Sequence, residues 1–367
     1  MERYVERVCA EIRSSRGRAA AIGAELPERV DTVYFGGGTP SLLSAEQVRR
    51  LFAALRGEFD VTADAEITVE CAPGQLGEET LGELLRLGMN RVSFGVQSFV
   101  DAEARAVGRM HTREMCLGEL ARMRAAGVEE INVDLIVGLP RQTAASWHES
   151  VEVALQSGVP HVSVYMLEVD EDSRLGREML AHGTRYGAEL VASEDEVAER
   201  YAAACEGLEA DGVMQYEISN FAREGHASRH NMKYWRREPY VGFGLDAHSM
   251  LRCGEGAVRW GNTDELGRYE VQGSRFEVGS PEVEQIGTEK GFEEAMFLGL
   301  RMNVGVDLEA LRAEFGEALV QGAVAALGDV EEAGLVEREG SWVRLTARGR
   351  MVSNEVFSRL LVETVAG

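Results

Sequence analysis

The feature that most constrains this 367-residue chain is a rhythm of short apolar runs. β-Branched and aromatic residues recur at Val30–Phe35, Ala65–Glu70, Arg91–Val96, Ile131–Val137 and His161–Met166, spaced roughly 25–40 residues apart. Runs of this length read as strands. The stretches between them carry helix signals. Ser44 stands three residues before Gln47, and Ser146 three before Glu149, both capping-box patterns. Asp101 and Thr112 are N-cap candidates, and Gly88 and Gly127 fall where helices stop. Strand and helix alternating at this spacing predict parallel βα units, and strands read as continuously apolar predict a sheet covered by helices. An open doubly wound sheet and a full or partial βα barrel both satisfy the pattern. In either, ligands sit at the carboxyl ends of the strands. Gly36–Thr39, Glu70, Gln97 and Glu168 lie at or just after those ends, and Asp134 lies within the fourth strand.

The chain opens with a predicted helix over residues 1–22, which has no strand before it. A long helix is expected over Glu194–Ala210, opened by Ser193 and closed by Asp211-Gly212, with a strand-like piece at Val213–Ile218. Tyr240–Gly244 and Gly254–Trp260 read as turn-rich. Helices are predicted at Glu289–Arg301, Asp307–Phe315, Glu317–Ala333 and Ala347–Leu361, with a strand–turn–strand pair over residues 334–346. Three helices and a two-stranded wing resemble a winged helix, but an acidic one without a basic recognition helix, so it is read as a cover or docking domain. The expected organisation is a barrel core over 1–212, a strand-rich extension over 213–285 and the winged-helix-like α+β domain over 286–367.

A formal net charge of −24 argues against binding nucleic acid, whose phosphates require clustered Lys and Arg. No run approaches the ~18 apolar residues of a membrane span, and the charged start MERYVERVCAEIR is no signal peptide. Five cysteines, at 9, 71, 116, 205 and 253, are scattered and odd in number. That favours a reducing, cytoplasmic setting over a disulfide framework.

Three consecutive glycines, Gly36, Gly37 and Gly38, follow the first apolar run. Backbone without Cβ atoms can approach a ligand closely and aim N–H groups at it. The series FGGGTPSLL, AEITVECAPG, NRVSFGVQSF, VGRMH, INVDLIVGLPRQT, YEISNFA and HNMKYW resembles the radical S-adenosylmethionine (SAM) family of oxygen-independent coproporphyrinogen III oxidases, and more closely that family's haem-chaperone branch. The similarity runs from the first helix to the C-terminal domain. It implies a radical SAM partial (β/α)6 barrel that holds SAM against a four-iron–four-sulfur cluster. Under it, Gly37, Gly38 and Thr39 line the methionine end of SAM, Glu70 accepts hydrogen bonds from the ligand, Gln97 and Asp134 contact its sugar or amino acid portion, and Arg109 its carboxylate. The H-N-x-x-Y motif at His230 and Tyr234 resembles the haem motif of the chaperone branch. His230 is then the iron ligand, with His226 a spare candidate.

The family's C-x3-C-x2-C cluster motif occurs nowhere in the 367 residues. Two accounts compete. Either the chain is an N-terminally shortened form, in which case the first barrel strand and cluster loop belong directly before the opening helix, or it is a paralogue that binds haem or SAM without redox chemistry. The expected function is haem binding and transfer to an acceptor protein, a membrane-associated one among the candidates, with SAM and the cluster acting in the full-length form. The enzymatic alternative is oxygen-independent coproporphyrinogen III oxidation. An alternative of another class is a cluster-less βα-barrel binding protein.

Overall fold

The computed structural model describes residues 1–169, 174–181, 183, 185–272 and 283–360. The chain divides into two compact units, one made of Met1–Val33, Ser44–Ala65 and Arg229–Gly367, the other of Tyr34–Leu43 and Glu66–Ser228.

The main sheet contains β1 (Arg29–Phe35), β2 (Asp60–Cys71), β3 (Arg91–Gln97), β4 (Glu130–Val137), β5 (His161–Met166), β6 (Met214–Glu217) and β7 (Asn220–Ala222). Its order is β1-β2-β3-β4-β5-β7-β6. Strands β2 to β5 pair in parallel, and β7 and β6 return antiparallel. A doubly wound sheet reverses its strand order at a switch point, and this one does not. With right-handed crossovers, a one-way order places the connecting helices on one face, and the sheet curls with that face outward. The partial barrel is therefore the correct member of the pair that the strand pattern left open.

The expectation of continuously apolar strands is corrected. Side chains alternate across a strand. On one face stand Val69, Val92, Phe94, Val96, Ile131, Val133, Leu135, Val162 and Val164, all buried. Each is worth roughly 1.5–3 kcal/mol of burial. Helices Ala144–Gln156 and Glu194–Ala210 pack on β4. The register sets a different row on the opposite face, where Glu70 pairs with Ser93, Ser93 with Asn132, Asn132 with His161, and Asp134 with Ser163. These groups lose water and recover hydrogen bonds from one another. Asn132 Nδ2 donates to Ser93 Oγ at 2.8 Å, Asp134 Oδ1 at 2.8 Å and Ser163 Oγ at 3.0 Å. His161 Nδ1 meets Asn132 Oδ1 at 2.6 Å and its Nε2 meets Tyr216 Oη at 2.8 Å. Burial holds His161 well below the usual histidine pKa, so the ring is neutral.

Local signals hold at several places. Ser44 and Gln47 form the capping box, Thr112 caps its helix, and Ser193 caps Glu194–Ala210. Others shift. The box expected at Ser146/Glu149 forms at Thr143/Ser146, because the helix starts at Ala144. Asp101 lies inside its helix, after the N-cap Val100, and its carboxylate accepts instead from the Arg113 N–H at 2.8 Å.

In the other unit, helix Glu2–Ala21 buries Val5, Val8, Ile12 and Ala19 along one stripe. Glu11 lies on the same helix, 5% exposed. It accepts from the Gly244 N–H at 3.0 Å, Asn262 Nδ2 at 2.8 Å and Tyr269 Oη at 2.5 Å, and pairs with Arg18 at 3.0 Å. Strands β8 (His248–Cys253), β9 (Gly256–Gly261) and β10 (Val283–Ile286) form a second sheet in the order β10-β9-β8. The stretch 254–260 is thus mostly the sheet's central strand rather than turns. Its glycines masked the buried Ala257, Val258 and Trp260.

Toward the C-terminus, helices Thr288–Leu300, Leu308–Phe315 and Glu317–Ala326 pack with a small sheet of β11 (Val306–Asp307), β12 (Val336–Glu339) and β13 (Trp342–Leu345). The helix expected over Glu317–Ala333 breaks at Leu327. That expected over Ala347–Leu361 breaks at Val352, and its end lies outside the described residues. No described helix is long and apolar enough to cross a membrane.

Replacing Glu11 by Ala removes the shared acceptor of the Gly244 N–H, the Asn262 amide, the Tyr269 phenol and Arg18. Breaking a buried charged cluster costs about 3–5 kcal/mol. Urea unfolding of Glu11→Ala is expected to show a loss of that size, and an unchanged midpoint would refute the role given to this carboxylate.

Candidate functional site

The glycine loop is built around one carboxylate. Tyr34 Oη donates to Glu70 Oε1 at 2.7 Å, and the Gly37 N–H donates to Oε2 at 3.0 Å. A Cβ on Gly36 would stand 2.5 Å from Tyr34 Cε1 and 2.9 Å from Glu70 Oε1, so only glycine lets this pair close. Gly37 and Gly38 have φ of 73° and 58° and face open space. Burial and the neighbouring Glu70 raise the Tyr34 pKa, so its phenol stays a donor. Thr39 precedes the short turn Pro40–Leu42, and its hydroxyl has no hydrogen bond among the described residues.

At the end of β3 the register skips between Gly95 and Gln97. Such a bulge re-aims side chains. Gln97 adopts φ 67°, a left-handed conformation uncommon for a non-glycine residue. Its buried Oε1 has no hydrogen-bond partner among the described residues. The Arg109 guanidinium reaches the same place: its Nη2 lies 3.6 Å from where a Gly95 Cβ would be, and it makes no hydrogen bond or ion pair among the described residues. His111 anchors that segment through Nε2 to the Val96 carbonyl at 2.9 Å. Burial lowers the His111 pKa.

Asp134 completes the group. It accepts from Ser93 Oγ at 3.0 Å and from Asn132 Nδ2. Loss of water pushes its pKa up to about 6, against the pull of the Ser163, Ser93 and Asn132 hydrogen bonds, and the charge on Glu70 adds to the rise.

The structure therefore joins Gly37 to Glu70 by a hydrogen bond, gathers Gln97 and Arg109 about Gly95, and sets Asp134 opposite Gly95 in the next strand. Glu168 is exposed and bonds to none of them among the described residues. Tyr34, Ser93 and Asn132 are supporting residues absent from the sequence reading. Polar residues at every second position of VSFGVQ, INVDLIV and HVSVYM were the signal for two of them.

The histidine motif lies on helix Arg229–Trp235, none of whose residues is fully buried. His230 Nδ1 lies 3.0 Å from Thr32 Oγ1, and its Nε2 lies 3.0 Å from Tyr234 Oη. Tyr234 stacks edge-on against both His230 and Tyr240. Burial pushes its phenol up to about 12, so it is a protonated donor at neutral pH. Asp31 pairs with both Arg229 and Lys233 beside it, and Lys233 pairs also with Glu238. His226 is engaged elsewhere, at 2.8 Å from Glu130 Oε1.

The profile of the radical SAM superfamily matches residues 17–154, and that of the HemN C-terminal domain matches residues 290–352. A Bacillus subtilis protein named heme chaperone HemW is 36% identical over 335 residues, covering 90% of this chain and 86% of its own length. The chain belongs to the HemW family. The Lactococcus lactis heme chaperone HemW is 32% identical over 338 residues, covering 92% of this chain and 86% of that protein. Among solved structures, Escherichia coli coproporphyrinogen III oxidase (HemN), a radical SAM enzyme, superposes with a TM-score of 0.78 over 98% of this chain and 82% of its own, at 22% identity. That likeness shows a shared fold.

Membership of the radical SAM superfamily implies SAM and a four-iron–four-sulfur cluster. The chemistry there suits a zwitterionic ligand such as SAM: left-handed glycines beside the Glu70 carboxylate and, among the described residues, an amide oxygen without a hydrogen bond and a guanidinium without an ion pair near Gly95, opposite Asp134. The five cysteines of this chain do not fit the cluster. No group of His, Cys, Asp and Glu among the described residues could hold a metal, and burial pushes the Cys71 and Cys116 thiols up to about 12, away from the thiolate that iron needs.

The raised Asp134 pKa has a stability consequence. An unfolded aspartate titrates near 3.9, so between about pH 4 and 6 the folded chain holds the extra proton and stability falls as pH rises. Asp134→Asn is expected to remove that slope. It should exceed the parent by about 2 kcal/mol at pH 7.5 and by less at pH 5, as read by thermal unfolding at both. Equal stability of the two proteins at pH 7.5 would contradict the raised pKa.

Proposed function

We propose that this chain is a haem chaperone. It binds haem through His230 and passes it to an acceptor protein, and it holds SAM at the rim formed by Gly37, Gly38, Thr39, Glu70, Gln97, Arg109 and Asp134. The reading is carried by the half-buried His230–Tyr234 pair, placed in a chain whose relatives over most of its length are named heme chaperones. An imidazole is a common axial ligand for haem iron. A histidine at the helix surface, held by two hydrogen bonds, offers it without the cost of opening a core. The aromatic rings of Tyr234 and Tyr240 give a flat porphyrin an apolar flank.

At the rim, Glu70 orients the glycine loop, Arg109 suits a carboxylate through its planar fork, and Gln97 supplies the acceptor for a ligand hydroxyl or ammonium. In the family, SAM with the cluster supplies one-electron chemistry. The residues of this chain contribute binding and orientation of SAM.

The test is a titration with haemin followed by the Soret band. His230→Ala is expected to weaken haem binding at least tenfold. Gly36→Ala, which drives a Cβ into the Tyr34–Glu70 contact, is expected to leave the Soret titration unchanged and to impair SAM retention in equilibrium dialysis. Equal haem binding by the parent and His230→Ala removes His230 from the site. Porphyrinogen decarboxylation by a cluster-bearing form would favour the oxidase reading instead.

A further inference from the structure

We propose that Thr32 is a positioning residue that selects Nε2 of His230 as the nitrogen facing haem iron. The inference rests on the reading of His230 as the haem ligand. Thr32 lies on β1, with Oγ1 3.0 Å from Nδ1, while the Tyr234 hydroxyl stands 3.0 Å from Nε2.

A neutral imidazole has one N–H and one lone pair, and the partners decide which nitrogen carries which. Two arrangements satisfy both contacts. Either Nδ1–H donates to Thr32 and the Tyr234 O–H donates to Nε2, or both directions are reversed. A phenol is a much stronger donor than an aliphatic alcohol, and the Tyr234 hydroxyl stands 3.0 Å from Nε2. The stronger donor belongs on the lone pair, which places that lone pair on Nε2 and the proton on Nδ1.

The two partners also differ in how easily they yield. Thr32 is β-branched and sits in a strand, where χ1 is restricted. Tyr234 is one turn along the same helix and is only half-buried, so its side chain can rotate away. Nε2 is therefore the nitrogen that would be offered to haem iron: rotation of Tyr234 would break one hydrogen bond, free the Nε2 lone pair for an iron–nitrogen bond, and leave the phenol its proton. Thr32 goes on accepting from Nδ1–H. That bond fixes the ring orientation and increases the basicity of Nε2, as outer-shell partners of metal-bound histidines do. Thr32 touches neither iron nor porphyrin.

The full chain and its Thr32→Val, Thr32→Ser and His230→Ala variants are titrated with haemin. Soret position, reduction potential of the bound haem and melting temperature are recorded for each. Thr32→Val keeps the shape and loses the acceptor. It is expected to weaken haem binding about tenfold and to raise the potential, because a less basic imidazole stabilises ferric iron less. Thr32→Ser is expected to restore both. A parental potential and affinity in Thr32→Val, with His230→Ala unable to bind, would overturn the role of Thr32 and leave the haem reading standing. Failure of Thr32→Ser to restore the potential of a normally folded protein would also overturn it. Parental haem binding by His230→Ala would remove both.

Discussion

The structure depends on the alternation of side chains in its parallel strands. A parallel sheet in a βα fold is covered by helices on one face, and β2 to β5 meet this demand with rows of Val, Ile, Leu and Phe. The other face is enclosed by the curl of the sheet, so polar groups placed there lose water as well. Ser93, Asn132, Asp134, His161 and Ser163 are tolerated because each finds its partner among the others. The network is at once the reason the sheet can carry polar residues and the support for Asp134. It also fixes register: sliding one strand by a single residue would turn its polar row into the helix layer.

Much of the fold was legible in the sequence. The five apolar runs are all strands, the opening helix and Glu194–Ala210 lie where the patterns placed them, and the Ser44/Gln47 and Ser193 caps form. The spacing of βα units could not distinguish a barrel from a doubly wound sheet, because that distinction lies in strand order, a property of long-range pairing. The strands' second periodicity was visible but overridden by their apolar character. Where the chain is glycine-rich, as at Gly254–Gly256, a central strand was mistaken for turns.

The candidate site was legible to a different degree. Glu70 and Gln97 could be placed at strand ends from the sequence, and Asp134 within its strand. Their partners could not. Tyr34 precedes Glu70 by 36 positions and Thr32 precedes His230 by 198. The left-handed backbone of Gln97 follows from a bulge, which leaves no mark in the composition of β3. Residue types locate a group on the rim, but tautomer, orientation and charge state are set by neighbours that only the register reveals. Glu168 has the right residue type near a strand end and still stands apart.

The cluster around Glu11 has a temporal side. The carboxylate belongs to the first helix, yet its partners Gly244, Asn262 and Tyr269 lie 233, 251 and 258 residues further on. A ribosome releases the N-terminal helix long before it makes any of them. Most of the other unit, Glu66–Ser228, is one continuous segment and emerges in between. That segment has local contacts to fold upon during synthesis, whereas the first helix waits for the partners of Glu11 until residue 269 has been made. Helix Ala45–Glu58, made soon after, can cover part of its apolar stripe, but the Glu11 carboxylate has none of these three partners during that interval.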